Sequence, residues 1–123
     1  MKPSVPTSVG ELYDKISILE IKAQRIEDPE KLAHANKELT LLREIATQFP
    51  ADKALYEELK GVNETLWDIE DAIRIEESNK RFGDEFIKLA RSVYVTNDRR
   101  AEIKRQINLA SDSEIVEVKS YKQ

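Results

Sequence analysis

Residues 62–77 read VNETLWDIEDAIRIEE. Val62, Leu66, Ile69 and Ile73 recur at steps of four, three and four, which is one apolar stripe on an α-helix. Beside that stripe lie Asn63, the sole tryptophan Trp67, Glu70, Asp71 and Arg74. The chain reads as arranged around this stretch. Its flank is open to two readings, a partly buried polar site or a cap of ion pairs over a core.

Leu55 and Leu59 extend the stripe backward, so a third helix is expected from a cap at Asp52 to about Asn79. Gly61 inside it costs roughly 1 kcal/mol relative to alanine. It implies either a close neighbour or a break. Forward, Arg81, Phe82 and Gly83 form a turn, with Gly83 as the expected left-handed residue. Asp84 is then the expected cap of a fourth helix running to about Ala110. Its seam holds Phe86, Leu89 and Val93, turns polar at Thr96 and Arg100, and resumes at Ile103 and Ile107. A polar break in an apolar seam fixes register or marks a site.

The N-terminal half follows the same period. Pro3 and Pro6 make residues 1–7 an extended arm. Ser8 and Glu11 form a capping box for the first helix. Leu12, Ile16, Leu19, Ala23 and Ile26 then keep a heptad seam. Ile18 and Ile21 widen its apolar face, so this helix should touch more than one neighbour. Asp28-Pro29 stops it and starts the second helix, which carries Leu32, Ala35, Leu39, Leu42, Ala46 and Phe49. A hairpin between the two is favoured over a kink. Residues 111–123 change period, with Val116 and Val118 alternating with Ile115, Glu117, Lys119 and Tyr121. They suit a short strand or an extended strap.

The expectation is therefore all-α: a bundle of about four helices over 8–110, with helices three and four as a long antiparallel hairpin and an extended C-terminal tail. Its length of 123 residues suits one domain. The formal net charge of −4, with 40% hydrophobic residues, separates it from disordered chains. No cysteine is present, which removes disulfides and thiolate metal sites and favours the cytoplasm. The first ten residues lack the apolar run of a signal peptide, and no apolar stretch is long enough for a membrane span. Helices three and four outreach the first two, leaving part of their hairpin uncovered. A homo-oligomer, preferably a dimer, would cover it.

Charge is sorted by helix, with acids concentrated on the third and bases on the fourth. Electrostatic pairing between them is favoured over a nucleic-acid surface built on Arg91, Arg99, Arg100, Lys104 and Arg105, because neighbouring acids cancel the field. Glu64, Asp68 and Asp71 lack a matching acidic pair on the fourth helix. His34 is preceded three residues earlier by Lys31, not by the glutamate of a di-iron site, and reads as exposed. No metal or cofactor is implied, and no nucleophile–base pair or phosphate-binding glycine loop appears. These absences argue against an enzyme. A small-anion, nucleotide or sugar-phosphate groove around Trp67 is the alternative. It would draw on Glu11, Lys15, Lys22 and Arg25 from the first helix, Asn63, Trp67, Glu70 and Arg74 from the third, and Arg91, Tyr94, Asn97 and Asp98 from the fourth. An interhelical salt-bridge network is the favoured reading of the same residues.

Four ordered segments, SVGELYDKISILEIKAQRI, VNETLWDIEDAIR, FIKLARSVYVTNDRRAEIKRQIN and VKSY, resemble an uncharacterised family of short helical bacterial and phage proteins, a domain of unknown function. The resemblance spans Ser8 to Tyr121 and implies no activity, substrate or catalytic residue. It brings an association with sugar-transfer and cell-surface polysaccharide functions, which adds slightly to the sugar-phosphate version of the groove. The reading that results is a small non-enzymatic interaction or assembly module, self-associating or bound to a protein partner.

Overall fold

The computed structural model describes residues 1–120 and contains four helices. They are α1 (Val9–Arg25), α2 (Pro29–Ala46), α3 (Lys53–Ser78) and α4 (Asp84–Ala110). Helix starts follow their polar caps. Ser8 Oγ accepts from the Glu11 amide, Asp28 from Glu30 and Lys31, and Asp52 from Leu55. The capping box at Ser8 is only half made, because the Glu11 carboxylate reaches across to Lys104 at 2.6 Å.

The organising element is α1, not the stretch at 62–77. It packs against all three other helices, whereas α2, among the described residues, packs only on α1. Leu12, Ile16 and Leu19 meet Ala35 and Leu39 in one core, which makes α1 and α2 the expected hairpin. Val9 joins Leu59, Val62, Ile103 and Ile107 in the other. Glycine sits at position 10 for a reason visible only in space. A Cβ there would lie 2.6 Å from the Lys104 carbonyl oxygen, so α1 and α4 touch backbone to backbone. Gly61, by contrast, has open space around it and lies in an unbroken α3.

The α3–α4 turn corrects two expectations. Gly83 has φ −85° and is the N-cap of α4, with no side-chain cap bond; Asp84 is already helical. The left-handed residue is Lys80, at φ 53°. The Arg81 amide donates to Glu76 O and the Lys80 amide to Glu77 O, the pair of bonds of a Schellman motif. The end of α4 repeats it, with Asp112 at φ 52° and Ser113 donating to Asn108 O. Beyond it the tail is a strap rather than a strand through residue 120, tied by Lys119 to Asp98 and by Glu117 toward Lys104. Tyr121 lies outside the described residues.

Helix lengths decide what stays uncovered. α3 and α4 have 26 and 27 residues, about 40 Å, against 17 and 18 for α1 and α2. Between Asn63 and Ile103 no residue is buried. The chain exposes 8929 Å². A compact monomer of 14.2 kDa exposes about 6,800 Å².

Candidate functional site

Two places concentrate unusual chemistry. One is a buried polar seam where α1, α3 and α4 meet. Asp14 is 1% exposed. Its Oδ1 accepts from Asn63 Nδ2 at 2.8 Å and Arg100 Nε at 3.0 Å, and its Oδ2 accepts from Arg100 Nη2. Lys104 Nζ stands 3.7 Å from Oδ2. The second Asn63 proton goes to Ser17 Oγ at 2.8 Å, and Ser17 donates to the Asp14 carbonyl. One turn toward the helix start, Asn108 Oδ1 accepts from the Gly10 amide at 2.6 Å. The hydrogen bonds to Asp14 raise the Arg100 pKa further above its ordinary value, so this guanidinium stays charged.

Among the described residues, no buried side-chain nitrogen or oxygen lacks a partner. Asp14 is therefore held by fixed donors on both oxygens, and Asn63 has spent both protons. The seam can set the height of α1 against α3 and α4 and fix their rotation.

The second place is the distal half of the hairpin, past the end of α1. Leu66, Ile69, Ile73, Phe86, Leu89 and Val93 are only partly covered. Ile75, Phe82, Ile87, Tyr94 and Val95 are each more than half exposed. Phe82 meets Phe86 edge to face at 5.3 Å.

The candidate ligand residues are spread over both places and the space between. Asn63 is in the buried seam, and Asn97 Oδ1 accepts from Arg100 at 3.4 Å at its rim. Arg25, at the end of α1, pairs with Asp68 at 2.6 Å and lies 5.7 Å over the Trp67 ring. Glu70 and Arg74 pair along one helix at 3.7 Å. Lys15, Arg91 and Tyr94 are exposed, and Lys22 is partly so. Asp98 holds Lys119 of the tail. A half-open cleft of ≈ 370 Å³ lies between α4 and the tail. Its Asp98, Glu102 and Glu117 match its Lys104, Arg105 and Lys119, so it has no excess of either charge. Among the described residues, no group of three or more His, Cys, Asp or Glu side chains is placed to hold a metal ion. His34 is exposed.

The charge sorting of α3 and α4 resolves differently from simple pairing. Glu58–Arg99, at 2.6 Å, is the one ion pair linking them among the described residues. Arg100 and Lys104 turn to α1 instead. The polar break at Arg100 did flag this seam in the sequence. Asp14, Ser17 and Asn108 were missed. For Asp14 and Ser17 the signal is a second stripe on α1, Gly10, Asp14, Ser17 and Ile21, at the same four-three-four spacing as the apolar one. All four are buried.

The family of unknown function DUF6165 matches residues 1–123, and the chain belongs to it. No curated protein and no solved structure matches the chain.

Proposed function

We propose that this chain is a non-enzymatic assembly module that dimerises through the distal half of the α3–α4 hairpin. The observation that carries this reading is the run from 64 to 102 with no buried residue, although Leu66, Ile69 and Ile73 of α3 and Phe86, Leu89 and Val93 of α4 keep an apolar seam through its distal part. A helical hairpin with one half-covered seam is a weak unit by itself, since helices in water depend on burying an apolar face. The chain exposes about 2,100 Å² more than a compact monomer of its mass, as a long hairpin and extended ends together must.

In this reading the buried polar seam is the rigid base of the module, and the hairpin is its arm. The support for a small-anion, nucleotide or sugar-phosphate site is thinner. The cation over Trp67, Arg25, is engaged by Asp68, and most of the other candidates sit elsewhere. Sedimentation equilibrium of the full chain tests the proposal. The expected mass at high concentration is twice 14.2 kDa. Replacing Ile87 and Tyr94 together by lysine should return the monomer with unchanged helicity, since both are more than half exposed. A wild-type chain that stays monomeric at every concentration refutes it.

A further inference from the structure

Two buried stripes run along α1, and they face different partners. Gly10, Asp14 and Ser17 are tied to α4 and α3 through Asn108, Arg100 and Asn63. Leu12, Ile16 and Leu19 meet Ala35 and Leu39 of α2 instead. The core on that side shares no buried residue with the one that Val9 forms with α3 and α4.

The attachment of α2 is one-sided. Ala35 and Leu39 are its only buried residues, and α1 is the only helix it packs on among the described residues. None of the hydrogen bonds made by Asp14, Asn63 or Asn108 reaches it. Its polar ties are weaker. Exposed Arg43 lies 3.5 Å from Glu20, and Tyr13 donates to the Ala46 carbonyl at 3.3 Å. Glu20 keeps Tyr56 and Lys60 of α3 when Arg43 leaves.

Parts of a fold open separately when few buried contacts and no shared polar network join them to the rest. A helix of 18 residues holds together in water mainly through the face it buries, and α2 buries one. Losing α2 takes one of two faces from α1. The other stays fastened by the buried seam.

We infer that α2 is a lid, opening as one unit about residues 26–28 and 47–52 while α1, α3 and α4 stay assembled. Opening bares Leu12, Ile16 and Leu19 as a single apolar row on α1. The distal half of the hairpin takes no part in it, so the lid and the assembly reading stand or fall separately.

Amide hydrogen exchange of the full chain, read by NMR in a series of sub-denaturing urea concentrations at one protein concentration, tests the lid. The amides of 35–42 should be roughly a hundredfold less protected than those of Leu59 and Ile107. They should share one urea dependence, smaller than that of global unfolding because less surface is exposed. Asn63→Ala breaks the seam, which the opened state retains and the unfolded state lacks. It should cut protection at Leu59 and Ile107 about tenfold and leave that of α2 unchanged. Wild-type α2 amides as protected as Leu59 and Ile107, or exchanging one by one with no common urea dependence, overturn the inference. So does an equal loss at both places in Asn63→Ala, which makes the four helices one cooperative unit.

Discussion

Replacing Arg100 by methionine removes the cation from a carboxylate that cannot reach water. Asp14 would keep Asn63 at 2.8 Å and a lysine at 3.7 Å, but lose both guanidinium hydrogen bonds and the charge that balances its own. Breaking one side of a buried pair costs about 3–5 kcal/mol, because the surviving charge stays desolvated. Here the lower end applies, since the Arg100 side chain is 28% exposed and Lys104 can move closer. A loss of about 3 kcal/mol is a large part of the roughly 5–15 kcal/mol that holds a typical domain. It should lower the melting temperature by roughly 12 °C. Neutralising the carboxylate in the same chain should return most of the loss. The amide introduced by Asp14→Asn still accepts from Asn63 and leaves no stranded charge. The assay is urea unfolding followed by circular dichroism at one fixed protein concentration, for wild type, Arg100→Met, Asp14→Asn and the double variant. A coupling of about 2 kcal/mol between the two sites is expected. A loss below about 1 kcal/mol for Arg100→Met, or strictly additive single effects, would refute the idea that this pair is a buried lock.

Lys80→Gly should stabilise the chain by about 1 kcal/mol, because lysine at φ 53° bears a steric penalty that glycine does not; a lower urea midpoint would show that Lys80 has another role. Gly10→Ala should destabilise by about 2 kcal/mol, since its methyl meets a carbonyl oxygen that belongs to the backbone of α4. An unchanged melting temperature would mean that the two helices are not held at that distance. Tyr13 donates to the Phe49 carbonyl at 2.7 Å, and burial, opposed in part by a backbone hydrogen bond, raises its hydroxyl pKa above the ordinary value. A raised pKa means that the folded state retains the proton longer than the unfolded one. This contribution to stability is complete below pH ~10 and is lost as pH rises through the folded value. Tyr13→Phe should cost about 1 kcal/mol at neutral pH and flatten that alkaline decline. Equal declines in both proteins would place the titration elsewhere.

Period and capping were enough to recover the four helices. Each seam repeats at four and three, and Asp28-Pro29, Phe49-Pro50 and the turn near Gly83 punctuate them. These are local properties, dictated by backbone geometry and by which side chains satisfy free amides, so a single chain carries them in plain view. Ends set by backbone conformation alone were harder. A glycine near the turn drew the left-handed position to itself, whereas the chain spends that conformation on Lys80, where the two Schellman bonds close α3.

Partner choice is where the sequence fell silent. It determined that every helix has an apolar face, that α3 and α4 outreach the others, and that Arg100 interrupts a seam. Only the tertiary structure decided that α1 is the hub, that Arg100 answers to Asp14 eighty-six residues away, and that Gly10 rather than Gly61 is the point of closest approach. The physical reason is that a helix's own periodicity fixes which residues share a face, while the neighbour of that face is set by how four cylinders of unequal length bury the most surface together.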